Sequence, residues 1–226
     1  MAGISFDRAA ETYDVTRGLP PPIMDASVDA LARVLVGGRV LEVGVGTGRF
    51  ALPLQDRGIR VVGLDISRNM IAKARAKGGR DLLLGSATQI PFVDRAFDTT
   101  MAIHLLHLIR DWRRALREIA RVTTGRFVTL LETITTRPVG GEAPPPGHGP
   151  GEVYHPIRRY EEIAARWGYR HEHPGVRPPQ MIERSAPDLR VPVGRHSEEV
   201  PGDVLLAPAA MKTYSSQWAV PDDLHA

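Results

Sequence analysis

The sequence predicts an α/β fold: a doubly wound, mostly parallel sheet with helices on both faces. Five apolar runs, β-branched or leucine-rich, alternate with helical stretches, and the first run ends in a glycine-rich turn that opens a helix. Strands separated by helices of this length form right-handed βαβ units, whose parallel sheet must be covered on both sides.

In chain order, residues 5–17 place Phe6, Ala9, Ala10 and Tyr13 on one side of an amphipathic helix, which Gly18 and the prolines at 20–22 end. A second helix is expected over 24–36. Strands are expected at 39–43, 59–66, 81–85, 97–103 and 126–132, with helices near 48–57, 67–77 and 111–122 between them. Residues 137–151 are too rich in Pro and Gly for regular structure. Because they follow a strand's C-terminal end, they read either as a substrate lid or as a loop with no role. A helix is expected over 156–167 and a short strand over 169–173, whereas the proline-interrupted stretch 174–207 carries no assignment. The domain reading is a cofactor-binding core with its N-terminal helices at 1–133, and a cap and completion segment of the same domain at 134–226.

The chemistry concentrates in the turn 42–50, where Gly44, Gly46 and Gly48 alternate. Glycines there remove side chains that would hold a ligand off the backbone, permit positive φ, and are expected to leave amide N–H groups facing a ligand. A dinucleotide loop wants Gly-x-Gly-x-x-Gly; here the spacing is Gly-x-Gly-x-Gly, with Glu42 two residues ahead. A carboxylate in that place would repel a pyrophosphate, but it suits a cationic ligand such as S-adenosylmethionine. Asp65 ends the second strand about twenty residues further on, the spacing of a ribose ligand; an N-cap neighbour is the plainer alternative. Ile66 and Met70 would then give apolar contact to the adenine.

Bulk composition disfavours other classes. A length of 226 residues suits one sizeable domain. With 29 basic against 26 acidic residues the net charge is +3 without a basic tract, so no nucleic-acid partner is expected. Arg113, Arg117 and Arg121 share a helical stripe, with Arg110 and Arg114 nearby, and read as a solvated face rather than a phosphate-binding one. No apolar run approaches the ~20 residues a bilayer requires, so no membrane association and a cytoplasmic location are expected. The chain has no cysteine, which excludes disulfides and thiolate metal sites. His171 and His173 share one face of a strand without a third ligand, so no metal is expected.

Four blocks resemble the class I S-adenosylmethionine-dependent methyltransferases, particularly the bacterial group that includes the ubiquinone and menaquinone biosynthesis C-methyltransferases. They are Phe6-Asp-Arg-Ala-Ala-x-x-Tyr-Asp14, Leu41-Glu-Val-Gly-Val-Gly-Thr-Gly48, Val62-Gly-Leu-Asp65, and Gly85-Ser-Ala-x-x-Ile-Pro-Phe92 with Phe97-Asp98. The run from His104 to Trp112, leading to Arg117-Glu-Ile-Ala-Arg-Val122, is also similar, so the resemblance covers roughly residues 5–132. It implies a Rossmann-like fold, S-adenosylmethionine as cofactor, S-adenosylhomocysteine as product, and in-line methyl transfer to a small-molecule acceptor. It also implies that Glu42, Gly44 and Gly46, with Thr47 and Gly48 in the same loop, hold the cofactor's amino-acid end, and Asp65 its ribose. Ala87 would offer its backbone N–H to the adenine. Where the family usually has Asp, this chain has Ser86, which is expected to accept one hydrogen bond from the adenine amino group and to bind it more weakly. Tyr13 would close over the cofactor, or else pack in the core. His104, at the end of the fourth strand, reads either as a general base or as a residue that only packs or orients the acceptor. His107, one turn on, reads as a packing residue.

Past residue 133 the resemblance thins to Tyr214-Ser-Ser-x-Trp218 with Pro221 and His225, similar to a substrate-cap helix in some relatives. Those relatives complete the sheet with an antiparallel strand. Here that strand is expected to be missing, or replaced by 189–193 or 204–206, which leaves a monomer or, through an open sheet edge, a homodimer. Two functional readings follow: a methyltransferase, and a protein of the same fold that binds S-adenosylmethionine or S-adenosylhomocysteine without methyl transfer. A nicotinamide-dependent oxidoreductase is argued against by Glu42 and the glycine spacing.

Overall fold

The computed structural model describes residues 6–35, 38–130, 164–169, 174–176, 180, 188–193, 218 and 221. Five strands, β1 (Arg39–Val43), β2 (Arg60–Asp65), β3 (Leu82–Leu84), β4 (Phe97–Met101) and β5 (Thr123–Val128), pair in parallel in the order β3-β2-β1-β4-β5. Chain order reverses between β1 and β4, which makes the C-terminal ends of those strands the switch point of an open α/β sheet.

Alternation along β1 divides the core in two. Val40 faces a cluster with Leu31, Phe50, Ala51 and Leu54, whereas Leu41 and Val43 face a second cluster with Leu64, Phe97, Ile119 and Val122. The first cluster is covered by α2 (Pro21–Val34), with proline in its first turn, and by α3 (Ala51–Asp56). Buried Gln55 ties α3 to the sheet: its amide nitrogen donates to the carbonyls of Val61 (2.8 Å) and Arg80 (2.7 Å), and its oxygen accepts from the Arg80 amide (3.1 Å). That satisfies a polar group that would otherwise be costly to bury. The helix α4 (Arg68–Ala76) is N-capped by Ser67, whose hydroxyl accepts from the Met70 amide at 3.1 Å. The helix α5 (Trp112–Val122) is capped in the same way by Asp111 on the Arg114 amide, and it buries Ala115, Ile119 and Val122 at helical spacing.

Two sequence expectations are corrected. The N-terminal helix expected over 5–17 is a single 3-10 turn at Asp7–Ala9 followed by a short α1 (Tyr13–Arg17), and Asp7 accepts from the Ser67 hydroxyl and the Asn69 amide at the start of α4. The fifth strand starts at Thr123, straight off α5, rather than at 126. Its threonines drive the shift: Thr123 bonds the Ile119 carbonyl (2.5 Å) and the Thr100 hydroxyl (2.7 Å), and Thr124 donates to the Phe97 carbonyl at 3.1 Å. Gly125 sits so close to the Asp98 carbonyl that a Cβ would come within 2.7 Å of it.

Contacts divide the chain into two compact units, 1–131 with 173–196, and 132–172 with 197–226. The first holds the sheet. Within it the Gly175 amide donates to the His107 carbonyl at 3.0 Å, and Val176 packs with Leu106, Ile109 and Ala115. In the second unit residues 164–166 are helical, and Gly168, at φ 86°, closes that helix as Tyr169 donates back to the Ala164 carbonyl at 2.9 Å. The lid at 137–151, the strand at 169–173 beyond its first residue, His171 and His173, and the alternative strand at 204–206 lie outside the described residues. Leu189, Arg190 and Val191, in the other alternative, are exposed and in no strand.

Candidate functional site

A cleft of about 200 Å³ opens over the C-terminal ends of β1, β2 and β3, lined by Val43 and Gly44, Leu64 to Ile66, Gly85 to Thr88, and residues between Leu105 and Arg114. Of the residues singled out in the sequence, Gly44, Asp65, Ile66, Ser86 and Ala87 line it. Ile66 is 43 % exposed there.

The glycine turn behaves differently from expectation. Its amides are already engaged: Gly44 and Val45 donate to the Leu64 carbonyl (2.7 and 3.1 Å), Gly48 to that of Val45 (2.9 Å), and Gly46 to the Asp65 carboxylate (2.8 Å). All three glycines have positive φ, but only Gly46 faces open space. A Cβ on Gly44 would meet Leu105 at 2.7 Å, and one on Gly48 would run into Leu52. Two of the glycines therefore serve close packing, and one serves clearance.

Asp65 bridges two elements, since one carboxylate oxygen takes the Gly46 amide and the other takes the Ser67 amide, both at 2.8 Å. Each oxygen keeps a lone pair for a further donor. Burial raises its carboxyl above the usual carboxylate value, against the opposing effect of the Ser67, Gly46 and Ile66 amides. Glu42 lies on the α3 side of β1 and is only 2 % exposed. Burial pushes it up to about 8, although the positive charge of Arg49 and the Ala51 amide at the start of α3 both favour its ionised form. Its Oε2 has no hydrogen-bond partner among the described residues.

The segment 6–17 lies against this turn. Thr47, fully buried, donates its hydroxyl to Asp14 at 2.5 Å, so its side chain serves the N-terminal segment and not the cleft. Arg49 donates to the Arg17 carbonyl and stacks 5.1 Å from the centre of the Phe50 ring. Half-buried Tyr13 packs edge-on to Phe6 at 6.0 Å. Desolvation raises its phenol, with Arg49 and Arg17 opposing and Asp65 and Asp14 reinforcing. Met70 is buried in the first turn of α4 and does not line the cleft.

At the base end, Ser86 Oγ accepts the Thr88 amide at 3.2 Å and shares a 2.9 Å hydrogen bond with the Thr88 hydroxyl. Its hydrogen bonding is thus directed into its own turn, and Thr88, which the sequence reading missed, stands beside it in the cleft. Also missed were Leu105, Ile109, Arg110 and Arg114 on the opposite wall; in sequence the two arginines read as a solvated face, and Leu105 and Ile109 only as part of the run from His104 to Trp112. Arg121 holds the loop behind this wall by donating to the carbonyls of Phe92 (2.8 Å) and Ile90 (3.0 Å) and to the carboxylates of Asp94 (2.8 Å) and Glu118. The Arg121 guanidinium in turn holds the Glu118 carboxyl below its usual value. His104 follows β4 with φ at 53°, a left-handed conformation uncommon for a side chain other than Gly. It is half-buried and outside the cleft lining.

Residues 41–128 match the protein family described as Methyltransferase domain. That stretch resembles a methyltransferase domain. Around it the chain is 37 % identical over 124 residues to demethylmenaquinone methyltransferase of Renibacterium salmoninarum, covering 52 % of each chain. It is 41 % identical over 93 residues to phosphatidylethanolamine N-methyltransferase of Cereibacter sphaeroides, covering 38 % of this chain and 45 % of that one. A crystal structure of an S-adenosylmethionine-dependent methyltransferase from Thermotoga maritima aligns with 30 % identity and a TM-score of 0.46, over 55 % of this chain and 57 % of that one. The chain spans about half the length of the curated relatives it matches. The domain thus takes in the glycine turn, Asp65, Ser86 and His104, but not Tyr13 or Asp14.

Proposed function

We propose that the protein binds S-adenosylmethionine in the cleft over β1, β2 and β3 and transfers its methyl group to a small-molecule acceptor in the cytoplasm. The observation that carries this reading is the pair of carboxylates at neighbouring strand ends, half-buried Asp65 in the cleft wall and buried Glu42, outside the lining, with one oxygen unpartnered among the described residues. The cofactor fits them: a ribose can donate to Asp65, an ammonium suits Glu42, and the open side of Gly46 admits a ligand against the backbone. Ile66 and the Ala87 amide would border the adenine, beside Ser86 and Thr88.

When bound, the cofactor supplies a methyl carbon already activated by its sulfonium. The chain has then only to align and desolvate the reactants. Leu105 and Ile109 give the cleft an apolar wall that excludes water. His104, held at the end of β4, is the residue to accept the acceptor's proton or to orient the acceptor. The two relatives above are named for chemically different acceptors, a quinone and an amino phospholipid, so the acceptor of this chain is set by its own residues.

Calorimetric titration with S-adenosylmethionine and S-adenosylhomocysteine, with Asp65→Ala alongside, tests the reading. Loss of charge-assisted hydrogen bonds worth about 1.5–3 kcal/mol should weaken binding roughly 10- to 150-fold. Absence of binding by the unsubstituted protein would refute it.

A further inference from the structure

The strands that carry the cofactor cleft at their C-terminal ends border a second cleft, of about 590 Å³, where they begin. Its charged lining is Arg39, Arg57, Arg60 and Asp98. The three arginines come from three elements: Arg39 opens β1, Arg60 opens β2, and Arg57 follows the last turn of α3. Arg39 and Arg60 are register partners in the parallel pair of β1 and β2, so their side chains leave the same face of the sheet about 4.8 Å apart. Two like charges set side by side repel, and their neighbours offset this only in part. Asp98 accepts the Arg39 backbone amide at 2.8 Å and stands 3.9 Å from the Arg39 guanidinium. Arg57 is held in place by Asp29 (2.8 Å) and the Pro53 carbonyl (3.1 Å). Among the described residues the Arg60 side chain makes no hydrogen bond or ion pair.

We propose that this cleft is a second binding site, for a small anion bearing one or more phosphate groups, with Arg39 and Arg60 as its principal ligands and Arg57 as a third cation fixed in advance. A guanidinium fork matches the oxygens of a phosphate, and a phosphate seated between two guanidinium groups turns their repulsion into attraction to a common centre. Arg57 spends two of its five N–H donors on Asp29 and Pro53 and keeps the others. The lining holds no aromatic side chain on which a base could stack, so the site suits a small molecule rather than single-stranded nucleic acid. It shares no lining residue with the cofactor cleft and stands independently of the cofactor reading. In sequence its arginines are dispersed over more than twenty positions, which is why no basic tract announces it.

Inorganic phosphate and pyrophosphate, each at ionic strength matched with chloride, are titrated by calorimetry into the full chain at about 50 mM salt. Arg60→Gln is compared with Arg117→Gln, which removes an exposed arginine of α5 that lines neither cleft. At least one of the two anions should bind with a Kd below about 1 mM; Arg60→Gln should weaken that binding about 5-fold or more, and Arg117→Gln by less than about 1.5-fold. The tighter of the two anions tells whether the site takes one phosphate group or a linked pair. Without ligand, Arg60→Gln should raise the thermal midpoint by about 0.5–3 °C at low salt, because it removes one of two repelling charges. The same measurement shows that the variant folds. Binding of neither anion would overturn the site, and equal weakening by both substitutions would reduce it to diffuse surface charge. A midpoint that stays level or falls in Arg60→Gln would overturn the argument from paired like charges.

Discussion

Replacing Glu42 with Gln tests the electrostatics of the site most directly. A carboxyl moved from its ordinary 4.5 to about 8 by burial holds a proton in the folded protein that the unfolded chain has released between those two values. Over that window the folded state binds more protons than the unfolded one, so stability is full below pH 4.5, falls as pH rises, and levels off above about 8. At about 1.36 kcal/mol per pH unit the loss is roughly 5 kcal/mol, on an order-of-magnitude basis. Glu42→Gln keeps the shape and the neutral form, so it should match the parent near pH 4 and exceed it by that amount near pH 9, in chemical denaturation at both ends. The raised Asp65 and Tyr13 groups remain in both proteins and cancel in the difference. Ligand binding gives a second reading. An ammonium beside Glu42 favours the carboxylate, so S-adenosylhomocysteine binding at pH 7 should release nearly one proton, seen as a dependence of calorimetric heat on buffer ionisation enthalpy. Glu42→Gln should release none. Parallel stability curves for the two proteins, or heats independent of buffer, would refute the reasoning.

Other substitutions separate packing from ligand contact. Gly44→Ala forces a methyl group into Leu105 at positive φ and should cost roughly 2–4 kcal/mol of stability, measured by thermal unfolding. Gly46→Ala has nothing within 4 Å to strike, so it should cost only about 1–2 kcal/mol for its φ while weakening S-adenosylhomocysteine binding more than Gly44→Ala does. His104→Gly relieves a left-handed residue and should gain about 0.5–1 kcal/mol in unfolding free energy while methyl transfer falls, once an acceptor is in hand. Arg121→Met removes the clamp on the loop after β3 and should cost about 2–3 kcal/mol; adding Glu118→Gln should cost little more, because the pair acts together.

How much of this was legible in sequence depended on the range of the interaction. The first four strands fall within two residues of their expected bounds, because alternation and β-branching are local signals. Asp65 could be placed in the cleft because a strand end fixes where its side chain begins. The fifth strand slipped because its start is set by threonine hydroxyls bonding to Thr100 and Phe97, partners more than twenty residues away. The engaged amides of the glycine turn were missed for the same kind of reason: their acceptors, the Leu64 carbonyl and the Asp65 carboxylate, belong to the next strand. Asp7, Glu11 and Asp14 read as the polar side of a helix, and nothing near them in sequence announces Asn69, Lys73 and Lys77 some sixty residues on.

The contact of Gly175 and Val176 with the turn at 106–109 separates two ideas of a domain. The family model matches 41–128, yet the surface that Leu106, Ile109 and Ala115 offer is covered by residues nearly fifty positions beyond that stretch. A protein trimmed to that stretch would lose both the cover on this apolar patch and the acidic segment that braces α4. The stretch that the family model matches is thus smaller than the unit that must fold, and an excised fragment would be expected to aggregate rather than report on activity.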